Sequence, residues 1–233
     1  MGYFKYLIPI ILCTFLTLDR RAAFQIMVSS PIFIGAIIGF YFSDIKSGIL
    51  IGCAIQLLWL NKLPVGAVLT PDESIAGSVA ILIYFILSEI NKVPSNSYGL
   101  ILFSIIYSAF CGIFSIKIDG VLRQFNAYLM RTAEKLVMQN RLSDVGLINF
   151  YSLLILFSVN LISIIVFVAS GCFIINYVVK IFPESFYKAF EISFKGLFII
   201  GISSALAAFN IKKWFYIFSI SFLVSFIIFG LFT

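Results

Sequence analysis

The sequence contains no histidine among its 233 residues, and only 11% of them are charged. Without imidazole the chain lacks the commonest metal ligand and the one side chain that titrates near neutral pH, and it cannot carry a phosphohistidine. The four cysteines, Cys13, Cys53, Cys111 and Cys172, lie far apart, each inside an apolar stretch, with no Cys-x-x-Cys pair. They read as small packing residues, so neither a metal site nor a disulfide framework is expected. With no nucleophile or metal constellation visible, no catalytic residue and no cofactor is expected, and the chain does not read as an enzyme. The scarcity of charge excludes more still. Soluble domains carry about 25% charged and about 45–50% apolar residues, whereas 62% of this chain is apolar. An excess of that size cannot be hidden in one core while a polar surface still meets water.

What is present is a series of apolar runs, over residues 3–18, 31–43, 45–60, 74–88, 98–116, 147–179, 192–210 and 214–232. A helix crosses the hydrocarbon layer in about 20 residues, so the fold expected is all-α: a multi-pass, polytopic helical membrane protein of about seven or eight segments. The runs at 31–43 and 45–60 are short for full spans and predict broken or re-entrant helices buried against others. A closed barrel would need alternating strands, and Ile199-Ile200-Gly201-Ile202 does not alternate. The first run follows Lys5 but has no small-x-small cleavage site before Asp19-Arg20-Arg21, so it reads as a membrane helix that is kept. The net charge of +6 comes from basic residues placed between apolar runs; orientation, not nucleic acid, accounts for it. Lys117, Arg123, Arg131, Lys135 and Arg141 share one connecting segment, which the positive-inside rule places in the cytoplasm.

One polar island, residues 44–76, interrupts the lipid-facing monotony. Gly48, Gly52 and Gln56 recur every fourth position and share one helical face, where small residues admit a neighbouring backbone. Gln56 at that seam serves either a helix–helix hydrogen bond or a ligand. Asn61-Lys62-Leu63-Pro64-Val65-Gly66 must break the helix, since Pro64 has no amide donor and Gly66 favours other torsions. Backbone exposed at membrane depth is tolerated where it lines a cavity, which makes such a break a pointer to a transport site. Thr70-Pro71-Asp72-Glu73 has the form of a capping box, with Thr70 as N-cap, Pro71 opening the helix and Glu73 closing the box. The helix dipole accounts for Asp72 and Glu73 in a first turn; a cavity accounts for them equally, since acids beside apolar segments are costly otherwise. A neutral sugar is recognised through its hydroxyls, and Gln56, Asn61, Asp72 and Glu73 supply suitable groups, with Trp59 offering a flat apolar face.

Taken together, Leu18-Asp19, Pro31, Gly35, Gly39, Asp44, Gly48, Gly52, Gln56, Leu60, Gly66-Ala67, Pro71-Asp72 and Ala76 resemble the N-terminal half of IIC components of mannose/fructose/sorbose-family phosphotransferase systems (PTS). The resemblance continues more weakly to the end of the helix near 196–210. It implies a permease that carries a hexose-type sugar, works with a IID membrane subunit and with IIA and IIB phosphocarriers that hold the phosphohistidines, and forms a higher-order IIC–IID oligomer in the bacterial cytoplasmic (inner) membrane. By matching positions it places substrate contacts at Gln56, Asn61, Gly66 and Asp72, with Glu73 as an adjunct. Two features depart from the family pattern: glutamate is common where this chain has Gln56, and the helix near 196–210 keeps Gly196, Gly201, Ser203 and Ser204 but no proline. A secondary transporter outside the PTS, or an inactive scaffold of the same fold, is the alternative, although no internal repeat is evident.

The expected organisation is a single membrane domain over 1–233, with a substrate-site half at 18–95, a cytoplasmic amphipathic connector at 117–145 and C-terminal helices at 146–233. In the connector, Ile118, Leu122, Phe125, Leu129, Leu136 and Val137 fall near one helical face. Such a helix lies on anionic membrane lipid, or its Arg123, Arg131 and Lys135 border the docking surface for the IIB carrier.

Overall fold

The computed structural model describes residues 4–22, 25–60, 69–91, 98–181 and 187–208. Among these the chain is all-helical: α1 (Phe4–Thr17), a 3-10 turn (Leu18–Arg20), α2 (Pro31–Tyr41), α3 (Ile45–Trp59), α4 (Glu73–Ile90), α5 (Tyr98–Met138), α6 (Leu142–Ile181) and α7 (Tyr187–Ala208). Three stretches are long and apolar enough to cross a membrane, Glu73–Ile90, Tyr98–Met138 and Ser143–Val179, as a multi-pass membrane protein requires. The expected segment at 214–232 lies outside the described residues.

The short runs form a helical hairpin. Ser30 caps α2 by accepting the Phe33 amide, with Pro31 at the first position, and Asp44 caps α3 by accepting the Ser47 amide at 3.1 Å. Ser43, in the left-handed region at φ 61°, reverses the chain between them. The two helices then meet backbone to backbone: a Cβ on Gly39 would lie 2.8 Å from the Asp44 carbonyl oxygen, and Gly35 and Gly48 face each other more closely still. At 11 and 15 residues neither helix is long enough to span, which agrees with the expected half-buried pieces.

α4 is the centre of the bundle. Every residue from Ser74 to Leu87 is buried, because α1, α2, α3, α5 and α6 all pack around it. Such all-round burial explains why its sequence is apolar on every face. Its start corrects the capping box. The N-cap is Asp72, whose carboxylate accepts the Ser74 and Ile75 amides, and Glu73 is the first helical residue. Thr70 and Pro71 lie ahead of the helix, and Thr70 Oγ1 is used instead by Arg20. Asp72 wins because it caps and pairs with guanidinium groups in one position, which a threonine hydroxyl cannot do.

α5 and α6 hold the second correction. The amphipathic segment expected at 118–141 is not a helix of its own; through Met138 it continues α5, which runs unbroken for 41 residues. No proline interrupts Tyr98–Met138, and Asp119 inside it is paired, so charge alone does not end the helix. A tight turn with Asn140 at φ 56° leads into the 40 residues of α6. Each helix is about 60 Å long at about 1.5 Å per residue. The last buried position of α5 is Leu122, so its distal third leaves the core beside the first turns of α6, tied to them by a 3.0 Å hydrogen bond between Ser152 Oγ and Asn126 Oδ1. α7 closes the other side, Phe194 packing among Tyr98 and Phe198 and Gly201 admitting Leu57 of α3.

Candidate functional site

The polar centre forms where the 3-10 turn after α1, the start of α4 and the middle of α5 converge. Arg20 and Arg21 leave the end of that turn side by side. Arg20 Nη1 donates to Asp72 Oδ1 at 3.1 Å and Nη2 to Thr70 Oγ1 at 3.2 Å and the Pro71 carbonyl at 3.1 Å. Arg21 reaches Asp72 Oδ2 at 2.7 Å and Asp119 Oδ1 at 3.3 Å, and Arg123 Nε meets Asp119 Oδ2 at 3.3 Å. The Asp72 side chain is only 4% exposed. Its own amide donates to Ser115 Oγ and the Gly112 carbonyl, both at 3.1 Å, so the residues that follow the break are fastened to α5. Burial pushes the Asp72 carboxyl up, but the Arg20 and Arg21 guanidinium groups outweigh it and hold the group below its ordinary value. Asp72 therefore stays charged and fully engaged.

Asp19 organises the chain on the other side of Arg20. Its carboxylate accepts the Ile26 amide at 2.9 Å and the Ser29 amide at 3.3 Å. These bonds hold a turn in which Gln25 and Met27 take left-handed torsions at φ 53° and 67°, and the turn presents Ser29 and Ser30 beside α3.

Two cavities flank this centre. The first, of about 360 Å³, is the more open of the two and is called inner because it adjoins α3 and the first turn of α4; it is lined by Asp19, Gln25, Met27, Ser29, Ser30, Gln56 and Glu73, with Arg20 in its wall. Gln56 Oε1 and, in the first turn of α4, Ser74 Oγ are buried with no hydrogen-bond partner among the described residues. The Gln56 side chain borders the cavity, with its Oε1 buried behind the cavity wall. The outer cavity, of about 540 Å³, lies against the faces of α5 and α6 that turn toward Arg20 and Arg21.

The structure thus brings Gln56 and Glu73 together, and sets Asp72 beside them but behind its arginines. Trp59 lines neither cavity; its ring packs on α5, where a Cβ added to Gly112 would lie 2.6 Å from it. Arg123 reaches the outer cavity, whereas Arg131 and Lys135 are exposed farther along α5. Asn61, Pro64 and Gly66 lie outside the described residues. Sequence reasoning missed Arg20 and Arg21 as partners of Asp72, Asp119 as the second partner of Arg21, and Asp19 and Ser29 as cavity residues. The available signal was an ionisable group within or directly after an apolar run, since such a group needs a partner.

Comparisons with known proteins agree with this picture. The family model for sorbose-specific IIC components of the PTS (EII-Sor) matches residues 4–231. No curated protein sequence matches. A solved structure described as a membrane protein aligns with a TM-score of 0.70 at 16% identity, covering 97% of this chain and 87% of that one. The cryo-EM complex of the mannose transporter ManYZ with microcin E492 aligns at 0.53 and 17% identity, with the same coverage of 97% and 87%. At those identities the structures speak for the fold, and the family model speaks for the lineage. The chain belongs to the sorbose-specific IIC components of the PTS, the membrane permease subunits of mannose-class sugar phosphotransferase systems.

Proposed function

We propose that the inner cavity is where this permease holds a hexose on its way through the bacterial cytoplasmic membrane, in a complex with a IID membrane subunit and with IIA and IIB carriers that bring the phosphoryl group. The observation that carries the reading is the convergence of Gln56, Glu73, Ser29 and Ser30 on one cavity. An amide oxygen and a carboxylate accept hydrogen bonds from sugar hydroxyls, Ser29 and Ser30 add groups that both donate and accept, and a ligand lacking the matching hydroxyls leaves the site unsatisfied. The volume of about 360 Å³ falls in the range of about 300–1,000 Å³ usual for small-molecule sites. Glutamine serves at position 56 because a neutral sugar needs acceptors and donors there, not net charge. In this reading Asp72 supports the site by holding Arg20 and the start of α4, and Trp59 supports it by fixing α3 on α5.

The test is phosphoryl-dependent uptake of a panel of hexoses by the chain reconstituted with its IID partner and carriers. Gln56→Leu keeps the volume and removes the acceptor; the apparent KM for the transported hexose is expected to rise about tenfold, equivalent to about 1.4 kcal/mol, with membrane insertion unchanged. Unaltered uptake kinetics in Gln56→Leu would remove the inner cavity as the sugar site.

A further inference from the structure

The outer cavity has chemistry of a different kind. Arg20, Arg21 and Arg123 line it, and Asp119 is the carboxylate in the same wall, with Asn126 and Asn149 among its other polar groups. Asp72, the second partner of Arg20 and Arg21, is buried behind them, so three guanidinium groups stand against two carboxylates and the cavity keeps a surplus of positive charge. Arg123 engages Asp119 through Nε and its side chain remains 48% exposed, which leaves part of its guanidinium for a ligand. Planar guanidinium groups match phosphate oxygens in paired, charge-assisted hydrogen bonds, and amide side chains add neutral donors. A free hexose has no charge with which to use this surplus.

Position adds the second half of the case. The residues on α5, Asp119, Leu122, Arg123 and Asn126, follow helical spacing on one face, as do Asn149, Ser152, Leu153 and Leu156 on α6. They lie where the hairpin leaves the core, on the side that the basic residues of the connector mark as cytoplasmic. Arg20 and Gln25 belong to the walls of both cavities, so the two adjoin. A cavity lined by two carboxylates, one arginine and neutral polar groups gives way to a cationic one.

We infer that the outer cavity is a binding site for a phosphate monoester, the sugar phosphate formed as the hexose leaves the inner cavity. This inference rests on the permease reading above. The Arg20–Asp72 pair then forms part of the partition between a site for the neutral sugar and a site for its charged product.

The experiment uses the chain in complex with its IID partner, in nanodiscs of zwitterionic lipid. Equilibrium dialysis measures a labelled hexose 6-phosphate, and in parallel the free hexose and inorganic phosphate. Saturable hexose 6-phosphate binding is expected, competed by inorganic phosphate and reduced about tenfold or more in Arg123→Gln, the size of one lost charge-assisted interaction. Free hexose binding is expected to stay as it was. Arg123→Lys should restore part of the affinity, since it returns the charge without the fork. Asn149→Asp, which sets a carboxylate at the cavity rim without touching an ion pair, should weaken the phosphate as well and guards against misfolding of the arginine variant. Absence of hexose 6-phosphate binding, or binding indifferent to both Arg123→Gln and Asn149→Asp, overturns the inference; so does displacement by phosphatidic acid in the nanodisc but not by inorganic phosphate, which would assign the cavity to a lipid headgroup. If the free hexose still binds and Gln56→Leu abolishes that binding, the permease reading survives such a failure. Loss of hexose binding to the parent complex would instead count against the permease reading itself.

Discussion

Asp72 is the residue on which the polar centre turns. One of its oxygens caps α4 and meets Arg20, the other meets Arg21. Removing the carboxylate strands two guanidinium groups that are themselves only 15% and 23% exposed. Breaking a buried pair by deleting one partner costs about 3–5 kcal/mol. Asp72→Ala is therefore expected to unfold at markedly lower temperature in detergent, seen as early loss of the monodisperse peak on size exclusion after heating. Asp72→Asn should lose less, because asparagine is nearly as good an N-cap. Equal thermal stability of parent and Asp72→Ala would contradict the ion-pair network. The sign of the pH effect follows from the same contacts. The carboxyl is held below its ordinary value of 3.8, so its contribution is present at neutral pH and is lost only as acidification passes through its lowered pKa. From the sequence alone an acid near Pro71 was legible as important, but its partners were not. Arg20 and Arg21 are separated from Asp72 by 52 and 51 residues, and only the folded bundle brings them together.

At the scale of elements, the glycines of α2 and α3 decide whether the short hairpin closes. A Cβ on Gly48 would run into the backbone of Gly35 on α2, and one on Gly52 would lie 2.7 Å from the Pro31 carbonyl carbon. Backbone cannot rotate away as a side-chain tip can, so overpacking here is expected to cost about 1–3 kcal/mol. Gly48→Ala should lower the midpoint of thermal denaturation, and it should also weaken hexose binding, because Gln56 lies two turns farther along the same face of α3. Gly146→Ala is the matched control. A Cβ there meets nothing within 4 Å, the position is helical, and alanine in a helix gains about 0.5–1 kcal/mol over glycine. Destabilisation of both variants to the same extent would remove close backbone approach as the cause. That a neighbouring backbone approaches the Gly48–Gly52 face of α3 was readable in advance from the four-residue glycine period; that the neighbour is α2, in a hairpin, was not. The helix start near residue 72 was misplaced by two positions because two good capping sequences overlap there, and tertiary ion pairs chose between them.

At the scale of the whole molecule, the long α5–α6 hairpin determines whether the outer cavity exists at all. Amphipathic periodicity at 118–141 is compatible with a helix lying flat on the membrane and with one that stands out of it, since both bury a single face. Sequence could not separate the two, because the deciding fact is an unbroken backbone through Lys117 and Asp119, and charges inside a helix read like its end. In the standing arrangement Arg123 and Asn126 face the cavity while Ser152 of α6 bonds Asn126 at 3.0 Å. In the flat arrangement Asn126 and Ser152 would be far apart, whereas the Arg123–Asp119 pair, four residues apart on one helix, would persist. Asn126→Cys combined with Ser152→Cys, in a background where Cys13, Cys53, Cys111 and Cys172 are replaced, distinguishes them. Mild oxidation in membranes is expected to join the two engineered residues, so that a protease cutting near Arg141 leaves the halves linked until reductant is added. A mismatched pair, Tyr128→Cys with Ser170→Cys, should not join, since Ser170 lies beside Tyr107 on α5. Failure of the first pair to cross-link in correctly inserted protein would lay the connector back on the bilayer. The cationic cavity, the partition at Arg20 and the route from neutral sugar to phosphate would then lose the wall that encloses them.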